Sequence, residues 1–173
     1  MENSAWVTPA GSPSMHSLRG LFKQDMTRFH VPAKRYRRSL NLDQGIAAAE
    51  YEMKGRPCFR ECFVSYPHQV MALRYRGFPF RLILSRGVYM DRMEALDERT
   101  MMLCGQTGDQ GVKWTAVCRC AGEGAKAVGG VIRCPEECDL YFASSTSYYD
   151  ADPLFACLEK LDRAEREGYE AVR

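Results

Sequence analysis

The run Val112 to Cys120, VKWTAVCRC, limits the fold more than any other stretch of the chain. Val112, Trp114, Ala116, Cys118 and Cys120 alternate with Lys113, Thr115, Val117 and Arg119, and a period of two puts the first set on one face of a β-strand. Such a strand needs partners. VMALRY and FRLILS flank the turn Arg76 to Pro79 and read as an antiparallel pair, and further strands are expected over 128–133 and 139–143. Four helices are expected beside the sheet. The first covers Ser17 to Phe29, with Leu18, Leu21, Phe22, Met26 and Phe29 at helical spacing; the second covers Asn41 to Lys54 and ends at Gly55 and Pro57. A capping-box pattern at Asp91 and Glu94 opens the third, which runs to Gly105, and Asp152 followed by Pro153 opens the last. Leu154, Phe155, Leu158 and Leu161 are its inward residues. The expected fold is α+β, a single domain of mainly antiparallel sheet with flanking helices over residues 39–173. Residues 1–38 are expected to form a flexible N-terminal leader with a short amphipathic helix and a basic cluster.

A chain of 173 residues can bury a core without covalent staples. A formal net charge of +2 gives no strong global field towards nucleic acid or membrane. No basic start followed by an apolar run precedes the eight cysteines, which places them as free thiols in a reducing compartment, and no stretch is apolar for long enough to span a membrane.

Four of those thiols are candidate metal ligands. Cys118 and Cys120, then thirteen intervening residues, then Cys134 and Cys138 give C-x-C and C-x3-C halves that could close a tetrahedral zinc site. The competing reading is that these are small, soft core residues, because free cysteine is among the most buried residue types. A redox pair is disfavoured by the lack of C-x-x-C before a helix. The chain has three histidines, and a cysteine nucleophile would depend on His68. GEGAKA, Gly122 to Ala127, fits a dinucleotide-binding glycine pattern, but Gly129 and Gly130 interrupt the helix which that motif requires. No catalytic constellation emerges, so a non-enzymatic protein is expected. Lys34, Arg35, Arg37 and Arg38, with Tyr36 among them, form a basic patch suited to nuclear import or to phosphate and nucleic-acid contact.

The order of several motifs resembles the adenoviral early-region-four thirty-four-kilodalton protein family. The resemblance runs through Glu61-Cys62 with His68 and Val70, Arg76-Gly77-x-Pro79, Phe80, Leu82, Ile83, Val88 and Asp91. It continues into Trp114-x3-Cys118-x-Cys120 and Gly129-Gly130. It implies an adapter in the nucleus and cytoplasm of the infected host cell, binding host and viral proteins, a cullin ubiquitin ligase and a larger, fifty-five-kilodalton viral partner among them. The elongin-binding element of that family is approximated only by Leu154 to Cys157, one residue short, so Leu154, Cys157, Leu158 and Leu161 are the candidate protein-binding face. A nucleic-acid-binding or minor virion-associated structural protein is the alternative expectation.

Overall fold

The computed structural model describes residues 21–25, 33–86 and 89–173, the first of these segments by its backbone. The described strands are β1 (Leu21–Asp25), β2 (Lys34–Asn41), β3 (Ile46–Met53), β4 (Arg56–Ser65), β5 (Val70–Arg76), β6 (Phe80–Ser85), β7 (Arg92–Ala95), β8 (Thr100–Gln106), β9 (Lys113–Ala121), β10 (Lys126–Val128), β11 (Val131–Cys134) and β12 (Glu137–Thr146). Two helices follow, α1 (Pro153–Glu167) and α2 (Tyr169–Val172). A large sheet has the order β2-β3-β4-β5-β12-β9-β8-β7 and a small one the order β1-β6-β11-β10, and their described pairings are antiparallel. The fold is therefore mainly antiparallel sheet, as expected, with far less helix than expected.

Two buried clusters define three layers. Between the sheets lie Phe80, Leu82, Ile132 and Cys134 of the small sheet against Tyr75, Leu103, Trp114, Cys118, Cys120, Cys138 and Leu140 of the large one. On the opposite face of the large sheet, Phe63, Ala72, Met102, Val117, Tyr141 and Ala143 pack against Cys157, Leu161 and Ala164 of α1 and Val172 of α2. Strand β9 is consequently buried on both faces. The expected inward set Trp114, Cys118 and Cys120 faces the small sheet, while Val117 and Arg119 lie under the helix. That central position explains the apolar character of the run from Val112 to Cys120.

Three of the four expected helices are strands. Ile46, Ala49 and Met53 match a helical stripe, yet Tyr51 is buried as well, and 49, 51 and 53 share one face of β3. Asn41, expected to start a helix, accepts the backbone N–H groups of Asp43 and Gln44 with its side-chain oxygen and turns the β2–β3 hairpin. Lys54 and Gly55, expected to stop that helix, form a two-residue hairpin loop with φ of +51° and +75°. The segment from Asp91 to Gly105 folds as β7 and β8, and Asp97 accepts the N–H of Arg99 in the turn between them. Over its described part, the first expected helix is β1, paired with β6; the rest of it and residues 1–16 lie outside the described residues.

VMALRY and FRLILS do not pair. They are β5 and β6, and the chain between them crosses from the large sheet to the small one. The last helix forms as expected, with Leu154 N and Phe155 N donating to Asp152 Oδ1 at 3.0 Å. Phe155, however, points outward and is 59% exposed.

Candidate functional site

The layered fold brings three cysteines together where the chain passes from one sheet to the other. Cys134 ends β11 in the small sheet, Cys138 stands near the start of β12 in the large sheet, and Pro135 to Glu137 make the corner between them. Cys120 comes from β9, adjacent to β12, where it pairs with Leu140. The three sulfur atoms lie within 4.8 Å of one another, and the residues are buried to 0%, 3% and 2% exposure for Cys120, Cys134 and Cys138. Cys118, the fourth expected ligand, is also buried on the inner face of β9, one strand step away from that cluster.

The corner is held from several sides. Glu136 receives the guanidinium of Arg56 at 2.8 Å, and its carbonyl accepts the N–H of Gly77 at 2.9 Å. On the inside the backbone just after β9 passes so close that a Cβ on Gly122 would stand 2.7 Å from Pro135 Cγ and 2.8 Å from Cys138 Cβ. Glycine is required there by contact. Hydrogen bonding from Cys134, then from Cys138, holds the Cys120 thiol down to about 5, against the opposing effect of burial. The same bonding to Cys120 raises both Cys134 and Cys138, while burial raises Cys118 well above its ordinary range. Such a triad can keep a proton shared among sulfurs, close a disulfide or hold a soft metal ion.

A second constellation left no mark in the sequence pattern. Ser65 at the end of β4 lies 3.0 Å from His68 Nδ1, and His68 Nε2 lies 2.8 Å from Glu167 Oε2 at the end of α1. The order hydroxyl, imidazole, carboxylate matches that of a hydrolytic relay, but Ser65 is only 5% exposed, so this line ties the helix end to the β4–β5 turn. Nearby, Gln69, Ser144, Ser145, Thr146, Tyr149 and Asp150 border a cleft of about 420 Å³ beside Lys160. Tyr149, which lines the cleft, and its edge-on neighbour Tyr148 are each more than three-quarters exposed. Amide, hydroxyls, carboxylate and ammonium beside open aromatic rings make a surface suited to a neutral polyol.

The other expected sites change character. Lys34, Arg35, Arg37 and Arg38 lie on β2, the exposed edge of the large sheet, with Lys34 opposite Glu52, Arg37 opposite Glu50, and Arg35 bonded to Glu52 at 3.1 Å. Charge on an edge strand discourages further pairing, and its acidic neighbours cancel much of the basic field. Cys157 and Leu161, offered as a protein-binding face, are fully buried on the chain's own sheet, and Leu154 and Leu158 pack beside them.

Comparison with known proteins places this architecture. The sequence model for "Glycosyl hydrolase family 65, N-terminal domain" matches residues 11–151. A solved structure assigned as a kojibiose phosphorylase from the human microbiome superposes with a TM-score of 0.58 at 10% identity, over 83% of this chain and 24% of that one. The chain thus spans about a quarter of that protein's length. No curated protein matches.

These findings overturn the resemblance to the adenoviral early-region-four family. With it fall the non-enzymatic viral adapter, the host, viral, cullin-ligase and fifty-five-kilodalton partners, and the nucleic-acid or virion alternative. The physical reason is that the quoted motifs are generic to a two-sheet β-fold. Trp114, Cys118 and Cys120 are inward positions of one strand, and Gly129-Gly130 is the φ-positive loop of the β10–β11 hairpin.

Proposed function

The chain belongs to the family of glycosyl hydrolase family 65 N-terminal domains, and from that premise we propose that it serves as a non-catalytic β-domain of a carbohydrate-processing protein. The observation that carries this reading is the family match across 11–151, supported by the shared fold with the kojibiose phosphorylase structure. The domain's own part in the work is to contact sugar at the cleft bordered by Gln69, Ser144 to Thr146, Tyr149 and Asp150. Gln69 donates from Nε2 to the Tyr66 carbonyl and Asp150 Oδ2 accepts the Ser145 hydroxyl, which leaves Gln69 Oε1 and Asp150 Oδ1 to accept sugar hydroxyls, and the exposed Tyr148 and Tyr149 rings offer apolar faces to a pyranose.

The test is titration of the isotope-labelled chain with kojibiose and with maltose, followed by amide chemical shifts, with phosphorolysis and hydrolysis of both sugars assayed in parallel. Saturable shifts around Gln69 and residues 144–150, reduced at least tenfold in affinity in Tyr149→Ala, are the expected result, with neither sugar cleaved. Shifts absent at high sugar concentration would remove the sugar-contact role; cleavage by the chain alone would remove the non-catalytic one.

A further inference from the structure

We propose that Cys120, Cys134 and Cys138 bind one zinc ion at the β11–β12 corner, with Cys118 swinging in as the fourth thiolate. Nothing in the family's carbohydrate chemistry calls for such a site. Its support is convergence: two neighbouring strands of the large sheet and one strand of the small sheet deliver three sulfurs to within 4.8 Å of one another, in a place nearly closed to solvent. Packing alone would be satisfied by any small apolar residues. The donor set is soft and uniform, which suits zinc over magnesium or calcium.

The geometry fits after a small contraction. Zinc–sulfur bonds of about 2.3 Å in a tetrahedron place sulfurs about 3.8 Å apart, so the three thiols need to close by at most about 1 Å. Cys118 precedes Cys120 by two residues on the same strand face, and a change of χ1 is the movement that would bring its sulfur to the group. Binding expels the thiol protons to solvent and leaves the ion with two excess negative charges when all four sulfurs ligate, or one when three do. Because the ligands come from both sheets, the ion would fasten them where Pro135 and Glu136 alone connect β11 to β12.

The test uses the full chain, made in zinc-supplemented medium and purified under reductant without chelator. Elemental analysis is expected to give about one zinc per chain. Replacement by cobalt should give tetrahedral d–d absorption with sulfur-to-metal charge transfer. Cys134→Ser and Cys138→Ser should each lose the ion, while Cys157→Ser, on the other face of the large sheet, should keep it. Cys118→Ser should bind at least tenfold more weakly against a competing chelator. If a cysteine variant fails to fold, the wild-type chain still decides the question: stripping zinc with chelator should lower Tm, and restoring zinc should recover it. Reduced protein that takes up less than about a tenth of an equivalent of added zinc would overturn the proposal. So would equal retention in Cys134→Ser and Cys138→Ser, or a mass two hydrogens light from a disulfide within the triad. None of these readouts depends on sugar binding.

Discussion

Arg119 is the charged residue on which the docking of α1 depends most, and its replacement separates packing from electrostatics. It sits on β9 under the helix with its side chain 9% exposed, donating from Nε to Thr100 Oγ1 at 3.1 Å and from Nη1 to Asp162 Oδ1 at 2.6 Å and Glu165 Oε2 at 3.2 Å. The ion pairs contribute little. Asp162 is 62% exposed and rehydrates, and Glu165 keeps Arg99, so together they are worth about 1 kcal/mol. The Thr100 bond, to a fully buried hydroxyl, adds about 1 kcal/mol. The aliphatic stem adds more: alanine keeps Cβ, so the two methylenes beyond it, at about 0.8 kcal/mol each, come to about 1.6 kcal/mol. Arg119→Ala should therefore cost about 4 kcal/mol in urea unfolding extrapolated to water, and Arg119→Met, which keeps the stem, about 2 kcal/mol. Raising salt from about 0.1 M to about 1 M should narrow either gap by less than about 1 kcal/mol. An alanine variant within about 1 kcal/mol of wild type, or a methionine variant no better than alanine, would refute the assignment of this residue to the sheet–helix interface.

Further substitutions probe the layers one at a time. Leu161→Ala removes a fully buried side chain from between α1 and the large sheet and should cost about 2–5 kcal/mol, whereas Phe155→Ala on the exposed face should stay within about 0.5 kcal/mol, both read by denaturant melts. Gly105→Ala would put a Cβ 1.9 Å from the Tyr89 carbonyl, which also accepts Trp114 Nε1–H at 3.0 Å; a loss of about 3 kcal/mol is expected, visible as altered Trp fluorescence, against about 1 kcal/mol for Gly124→Ala, which meets only its φ of +79°. Bonding to His68 holds the Glu167 carboxyl below its ordinary range, so its stabilisation is complete above the unfolded value near about pH 4.3 and is lost as pH falls through the folded one. The stability gap between wild type and Glu167→Gln should accordingly be full near about pH 6 and shrink as pH falls below about pH 4.3; a gap that is constant or grows over that fall would contradict the tie.

The sequence disclosed what is local to one strand and hid what depends on partners. The period-two run around Trp114 is a strand because both of its faces are covered, and Asp152 with Pro153 opens a helix because a cap needs only its own next turn. Asn41 misled for a related reason: a side-chain oxygen that accepts N–H groups two or three residues ahead serves a hairpin turn as well as a helix start. Ala47 to Ala49 favour helix intrinsically, and only pairing with β2 and β4, invisible in a single sequence, makes them strand. Cys157 and Leu161 were legible as one apolar face but not as to what covers it. The covering sheet is assembled from strands a hundred residues or so away in sequence, as the Glu61–Tyr169 hydrogen bond across 108 positions illustrates.

The cysteine corner obeys the same distinction and carries it to function. Spacing alone could pair Cys118 with Cys120 and Cys134 with Cys138, but whether the two halves meet depends on β9 and β12 being neighbours and on β11 lying in the opposite sheet. Both conditions hold, and Gly122 shows that the approach is built in, since any side chain there would drive β9 away from Pro135 and Cys138. A Gly122→Ala substitution should therefore act on two measurements together. It should lower stability by about 1–3 kcal/mol through overpacking, and it should weaken zinc uptake by spreading Cys120 from the other two sulfurs. Loss of stability with zinc uptake unchanged would mean that the corner is packed tightly for its own sake and that Gly122 does not set the spacing of the three sulfurs.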